Sequence, residues 1–569
     1  MSSVLGIFDG THDAGACLVH KGEVIAACDE ERWSRKKGQG GFPIQSIQWI
    51  LESTGISWTD IDQIAFAGII NPNPVLRALR PLQQQWRLDD GQFYAPNKWF
   101  SNWVQFNSPF PRIKPTHHTV WKSLHKGLTR VLKTQLTQLF RHNIPPVSIY
   151  EHHRCHAASA HFASGHAQSL ILVADGLGDG VALSIWLGSK HEISKCFELP
   201  YPHSLGLLYA SITGYLGYKP FRHEGKVTGL AARGNSGNIR LNFPFEGPFP
   251  HRRITTQFPL YDWLRQLDEY SPEDIAAWLQ DGIETELLGI VHWARVQFGV
   301  LPLVMAGGLV ANVALNAKIA GEIDIPDIFI FPNMGDAGLA VGAAYLSGAE
   351  HFKWAPRKIA SVYWGPDITE FKTTENQLDY TYHPLSTDEL ISRAGTALAK
   401  GQIMARAVGK MEYGPRALGH RSILCSARSK DVHTELNRLL KRNETMPFAP
   451  IMRRETAIQW LDIPDNAWTA MEWMTMTVQS KPELKKRCPA VVHVDGSLRP
   501  QLVSQHTHPV LWKLLENHEQ STGEPALINT SFNRHEEPII CTNEDAIKAF
   551  LESNLDALWL GDTWIERKT

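Results

Sequence analysis

The chain has 569 residues, 43% of them hydrophobic and 20% charged, with a formal net charge of −2. That is enough chain for two or more buried cores, and the even balance excludes a global field that would draw in polyanions. Seven cysteines scattered without CxxC spacing exclude a disulfide framework or zinc module and point to a reducing cytoplasm.

The N-terminus "MSSVLGIFDG" lacks a basic region followed by an apolar core, so no signal peptide is expected. Apolar runs at 4–8, 14–19 and 23–28 flank Gly/Asp turns and read as strand–turn–strand. Residues 168–189, "QSLILVADGLGDGVALSIWLGS", repeat that logic and suggest a duplicated α/β fold. Between the two units, residues 91–150 contain no Asp or Glu. Trp121, Leu124, Leu128, Val131, Leu132, Leu136 and Leu139 recur there at helical spacing beside Lys122, Lys126, Arg130, Lys133 and Arg141. A solvated basic face is the plainer reading and a patch for an anionic partner the sharper one.

The stretch Tyr150–Ser164, "YEHHRCHAASAHFAS", puts four histidines into an Ala-rich helix. His152 and His156, four residues apart, share a face and could converge on a metal; His153 and His161 read as structural. Asp175 at a strand end and Asp336 before a helix offer further ligands. Two imidazoles with two carboxylates suit iron or manganese better than structural zinc. Gly-rich loops at 178–180, 306–312 and 335–342 follow apolar strands and could cradle phosphate, making Gly178, Asp179, Gly307, Gly308 and Asn312 candidate nucleotide contacts, with Lys226 of "HEGKVTGLAARG" beside them.

Ser271, Pro272 and Asp274 start a long helix as a capping box. Residues 355–385 read as a linker, and a capped helix near 386 opens a second domain. There Lys410, Arg416, Arg421, Lys441, Arg442 and Arg499 accompany Asn529, Ser531 and Asn533 in Gly/Pro-rich surroundings, as a small phosphorylated substrate requires. No run is long and apolar enough for a membrane span; Leu301–Leu315 is the nearest, and it is short and interrupted by Asn312.

In chain order, "THDAG", "EERWSRKK", "HHRCHAAS", "DGLGDG", "EGKVTGLAARG", "AGGLVANVALN", "PNMGDAG", "GPRALGHRSIL", "PFAP" and "NTSFN" together resemble the nodulation/cephem O-carbamoyltransferases over nearly the whole chain. The resemblance implies an α/β fold: an N-terminal actin/Hsp70/sugar-kinase-like domain at 1–365, similar to the tRNA threonylcarbamoyl transferase, and a YrdC-like domain at 380–569. It implies that the C-terminal domain makes carbamoyl adenylate from carbamoyl phosphate and ATP (with Mg). The N-terminal domain then carbamoylates a hydroxyl of a small natural-product acceptor.

By the same resemblance His152, His156, Asp175 and Asp336 hold the metal, iron or else manganese, and His12 is the general base. Arg416, Arg499, Asn529 and Ser531 match carbamoyl-phosphate or ATP contacts, and Lys36 and Lys37 are acceptor or phosphate contacts. Met446 stands where many members carry Arg, so no phosphate contact is expected of it. Neither a membrane nor nucleic acid is an expected partner, and self-association is left open. Two other readings stand beside this one. A tRNA threonylcarbamoyl-type enzyme is supported only by the basic segment, and a non-catalytic nucleotide-binding regulator is disfavoured by the complete ligand and base set.

Overall fold

A computed structural model of the chain describes residues 2–69, 118–256, 258, 260–368, 370–371, 380–441 and 446–568. The first half is built on two five-stranded sheets. In one, β1 (Ser3–Phe8), β2 (Gly15–His20), β3 (Glu23–Asp29), β4 (Gln63–Ala67) and β5 (Val147–Tyr150) lie in the order β3-β2-β1-β4-β5. The first three strands form an antiparallel meander, and β4 and β5 add in parallel on the far side of β1. In the other sheet β6 (Ser169–Gly178), β7 (Val181–Gly188) and β8 (Ile193–Pro200) form the meander, and strands Leu303–Ala306 and Ile328–Ile330 add in parallel beyond β6. The duplication expected from the two strand–loop–strand units is therefore present, strand for strand.

The Ala-rich composition of His152–Ser164 has a packing cause. This helix and Leu339–Phe352 lie together in an apolar cluster that takes side chains from both sheets, including Val4, Val19, Ile171 and Val173. A Cβ on Gly342 would stand 1.9 Å from the Cys155 carbonyl oxygen, so the helices approach as closely as only small residues allow. His153 and His161 are satisfied by sheet groups: His153 bonds Ser184 and the Val181 carbonyl, and His161 bonds Ser169 and the Ser189 carbonyl. Their structural reading stands.

The expected basic helix runs His118–Phe140 and buries Leu128, Leu132 and Leu136 under the first sheet. Lys126, Arg130, Lys133 and Arg141 are exposed. Residues 91–117, and the side chains of Trp121, Lys122 and Leu124, fall outside the described residues. The long helix Pro272–Phe298 starts as expected, with Ser271 accepting from the Asp274 amide. Only half of the capping box forms, because the Asp274 carboxylate is engaged by the Asn235 amide and the Asn238 side chain.

The second half carries an eight-stranded sheet, from Tyr380–Pro384 at one edge to Gln501–Val503 at the other. Its helix Thr387–Ala399 has the complete Ser386/Glu389 capping box. Part of the expected linker is ordered: Tyr363–Ile368 pairs with Gly409–Glu412. The halves are joined by side chains reaching opposing carbonyls: Arg32 to Gly414, Arg35 to Pro538 and Ile539, Asn316 to Thr475, and Asn466 to Ala320 and Ile325. Among the described residues no helix is long and apolar enough to cross a membrane.

Candidate active site

Four buried side chains meet at the ends of the central elements. His152 and His156 occupy the first turns of their helix, whose N-terminus is capped by Glu151. Asp175 closes the regular part of β6, and Asp336 opens the turn before Leu339–Phe352. One donor atom from each lies within 4.8 Å of the others. His152 Nε2 is 3.2 Å from Asp175 and 3.5 Å from Asp336, and His156 Nε2 is 3.5 Å from Asp336. Such separations are the edges expected of a polyhedron around an ion bonded at about 2.1 Å.

The donor set fits a divalent metal on a second count. Both ring nitrogens of His156, and Nδ1 of His152, are buried without a hydrogen-bond partner, a costly arrangement unless a ligand takes them up. Burial works against a charged His152, but Asp336 and Asp175 outweigh it and raise the ring well above its ordinary range, holding a proton that a metal ion would displace. Burial also opposes ionisation of Asp175, yet His152 and His156 bring it down to about 2. The carboxylates are thus kept ionised, as metal ligands must be.

The loops around this group serve it directly. A Cβ on Gly178 would stand 2.1 Å from the His152 ring, so only glycine leaves the ring its place. Asp179 accepts from the His152 and Ile69 amides and fixes the start of the helix. The Gly308 amide donates to Asp175, and Gly307, at φ 106, packs where a Cβ would lie 2.3 Å from the Ala174 carbonyl oxygen. Asn312 caps its helix through the Leu315 amide and bonds Gln280. Of the expected N-terminal nucleotide contacts, only Lys226 lines the adjoining cavity.

That cavity, of about 850 Å³, runs between the halves. Its lining takes His12, Asp13 and Lys37 from the first half and Arg416, Arg499, Asn529, Ser531 and Asn533 from the second. His12 bridges cavity and ligand group, with Nδ1 3.0 Å from Asp13 and Nε2 3.7 Å from Asp336.

Two family models match the chain: the carbamoyltransferase N-terminus over residues 3–243 and 255–345, and the carbamoyltransferase C-terminus over 395–567. The chain belongs to the carbamoyltransferase family. Nodulation protein NolNO of Sinorhizobium fredii is 32% identical over 98% of this chain and 79% of that protein. The uncharacterised protein MJ1058 of Methanocaldococcus jannaschii is 32% identical over the full length of both. Among solved structures, component A of (R)-2-hydroxyglutaryl-CoA dehydratase from Acidaminococcus fermentans aligns with 62% of the chain and 100% of that chain at 13% identity and TM-score 0.34, too low a similarity to carry an inference.

Membership makes the protein an enzyme that transfers carbamoyl groups, and its charged residues divide accordingly. Arg416 and Arg499 are half-buried on the cavity wall with no carboxylate partner among the described residues. Burial pushes Arg416 down to about 10; burial and the Arg416 charge push Arg499 well below its ordinary range. Arg421, by contrast, is fully buried and donates to the carbonyls of Pro366, Val408, Gly409 and His420. Its guanidinium is a structural clamp, which corrects its placing as a substrate contact. Lys36, Lys410 and Lys441 are exposed and off the cavity lining. Arg442 lies outside the described residues. Met446 lines the cavity and presses on Gly229 of the other half, where a Cβ would lie 2.0 Å from its Cγ.

Sequence reasoning missed an ion cluster in the cavity lining. Glu536 meets the Lys219 ammonium, His223 Nε2 at 3.1 Å and Arg222 at 4.0 Å. More than three hundred residues separate these partners, so no local pattern could signal the pairing. Burial raises the Glu536 carboxyl, but Lys219 and His223 outweigh it and bring it down to about 2. Because the folded value lies below the unfolded one, this contribution is complete above the usual carboxylate range and fades as pH falls toward 2. Glu536→Gln should therefore lose ~1 kcal/mol at neutral pH. Thermal melts of the two proteins should converge as the pH is lowered through 4, and a constant gap would contradict this account.

Proposed function

We propose that the enzyme is an ATP-dependent O-carbamoyltransferase that splits its reaction between the two halves lining the cavity. On the C-terminal half carbamoyl phosphate, ATP and one water give carbamoyl adenylate, phosphate and pyrophosphate. Arg416 and Arg499, without a carboxylate partner among the described residues, hold the phosphoryl oxygens, and Asn529 and Ser531 orient the reacting groups. On the N-terminal half an acceptor hydroxyl attacks the carbamoyl carbon, the bond to AMP breaks, and the hydroxyl proton passes to His12. The single observation that carries this reading is the continuity of the cavity between His12 and the two arginines, which would keep a hydrolysable mixed anhydride from bulk water.

His152, His156, Asp175 and Asp336 would hold the divalent metal, iron by family resemblance. When bound, the ion supplies positive charge that stabilises the departing phosphate and fixes its orientation. Burial disfavours the charged form of His12, but Asp13, Asp336 and Asp175 outweigh it and raise the group to about 9. A proton acceptor at neutral pH must be neutral, so the base role needs the carboxylate charge compensated, as a divalent cation in the four-ligand group would do.

The deciding experiment is release of AMP and pyrophosphate by metal-loaded protein given ATP with and without carbamoyl phosphate. Release that depends on carbamoyl phosphate, with or without a hydroxylated acceptor, is expected; its complete absence would sink the reading. A tRNA-modifying enzyme is the second reading, favoured by the exposed cations of the His118–Phe140 helix. It requires salt-sensitive retention of tRNA.

A further inference from the structure

We infer that Gln501 is a positioning residue that sets which edge of the Asn529 amide meets the substrate, so that Asn529 takes an amino group; this rests on the proposed binding of carbamoyl phosphate and ATP beside Arg416 and Arg499. Gln501 stands two residues after Arg499 in "GSLRPQ" and is 1% exposed. It lies off the cavity lining, whereas Asn529 belongs to that lining and is 2% exposed. Whatever Gln501 does for a bound ligand, it does through a neighbour.

The strand register makes the pair an anomaly. Gln501 stands opposite Ile451, Ile451 opposite Leu527, and Leu424 opposite Asn529. Residues that face each other across strands, and residues two apart along a strand, share one side of a sheet. The two amides therefore sit on the side that carries Leu424, Ile451 and Leu527, which is a buried apolar cluster. Packing alone calls for apolar side chains at both positions.

Two backbone carbonyls fix the polarity of the pair. Gln501 Nε2 donates to the Leu418 carbonyl at 2.7 Å. A carbonyl can only accept, so the other edge of Gln501 is oxygen. That oxygen accepts from Asn529 Nδ2 at 2.7 Å, and the Ala417 carbonyl accepts from the same nitrogen at 3.1 Å. Both N–H groups of Asn529 are thereby engaged, and its Oδ1 is left buried without a hydrogen-bond partner. A purely bracing role does not account for that oxygen. The Leu418 amide and carbonyl are already held by Glu412 and Tyr363, and an unsatisfied buried acceptor is costly.

Fixed in this way, Asn529 refuses phosphoryl and carbonyl oxygens and accepts an N–H donor. The proposed substrates offer two such amino groups, the carbamoyl NH2 and the 6-amino group of adenine. The test measures dissociation constants by calorimetry on the metal-loaded full chain, with two matched pairs of ligands. Carbamoyl phosphate is set against acetyl phosphate, which carries a methyl in place of the NH2. ATP is set against ITP, whose base carries an oxygen in place of the 6-amino group. Wild type should prefer the amino-bearing member of one pair by about tenfold or more, because a site built around a hydrogen bond rejects the analogue that lacks it. Gln501→Met keeps the length, removes both hydrogen-bonding ends and should cut that preference to about threefold. Gln501→Glu keeps an acceptor toward Asn529 and should restore the preference, while its charge weakens both members of each pair alike.

Loss of the first ratio in Gln501→Met, regained in Gln501→Glu, assigns the carbamoyl NH2 to Asn529; the same pattern in the second ratio assigns the adenine amino group. A wild type with neither preference would overturn the inference. So would a Gln501→Met variant that melts lower with both ratios intact, which would make Gln501 a brace of the fold. These are binding ratios, so absent pyrophosphate release would refute the adenylate reading without moving them. Failure of the wild type to bind either carbamoyl phosphate or ATP refutes the site itself, and the role of Gln501 falls with it.

Discussion

Asp336→Asn is expected to abolish metal retention and lower carbamoyl transfer on the order of 10³-fold, the several kcal/mol that a divalent ion contributes at a departing phosphate. Asp336 touches three histidines at once: His152 and His156 at 3.5 Å, and His12 at 3.7 Å. Burial raises its carboxyl, but His152, His156 and His12 outweigh burial and hold it well below the carboxylate range. Asparagine keeps the shape and removes the charge, so a loss cannot be assigned to a cavity or a misplaced helix. Elemental analysis of the purified variant should find little iron or manganese. Pyrophosphate release, proposed for the second half, should continue. If Asp336→Asn kept stoichiometric metal, or if both partial reactions failed together, the separation of metal site from adenylate site would be wrong.

The parts of this molecule legible from sequence share one property: their cause is local. Strand–turn–strand units announced the duplicated sheets because apolar alternation and Gly/Asp turns are short-range signals. The pair His152 and His156 was legible because an i,i+4 spacing fixes a shared face before any tertiary fold exists. Asp175 and Asp336 stood out as candidate ligands because one lies at a strand end and the other before a helix, each in a Gly-rich loop. The same loops also read as a phosphate cradle. Gly178, Asp179 and Gly308 are spent on the His152 ring, its helix start and the Asp175 carboxylate, and a Gly-rich turn reads alike for either use.

Arginine shows the limit most plainly. Arg416 and Arg421 stand five residues apart in "GPRALGHR", yet one faces the cavity and the other is used up by four carbonyls. Only the path of the flanking strands Gly409–Glu412 and Arg421–Ser426 separates them. The cluster at Glu536 depends on how the two halves dock, and composition carries no trace of that.

Arg499→Met should stabilise the protein while removing its first partial reaction. Arg499 shares a wall with Arg416, neither has a carboxylate partner among the described residues, and Arg416 Nε is buried without a hydrogen bond. Their lowered values mean that both cations cost folding free energy at every pH below those values, the cost being burial first and mutual repulsion second for Arg499. Methionine keeps much of the apolar stem and removes one like charge, so the melting temperature should rise by about 1–3 °C, the equivalent of ~1 kcal/mol in a protein of this size. Carbamoyl-phosphate-dependent pyrophosphate release should fall on the order of 10²- to 10³-fold, the range for deleting one partner of a desolvated charge pair. Added phosphate should raise the wild-type melting temperature, as expected of an anion held by both guanidiniums, and leave the variant nearly unmoved. A variant that melts lower and still releases pyrophosphate would mean that Arg499 braces the fold and that the anion lies elsewhere. On the proposed reading stability and activity oppose each other here because the two cations are kept for an anionic substrate that compensates them on binding.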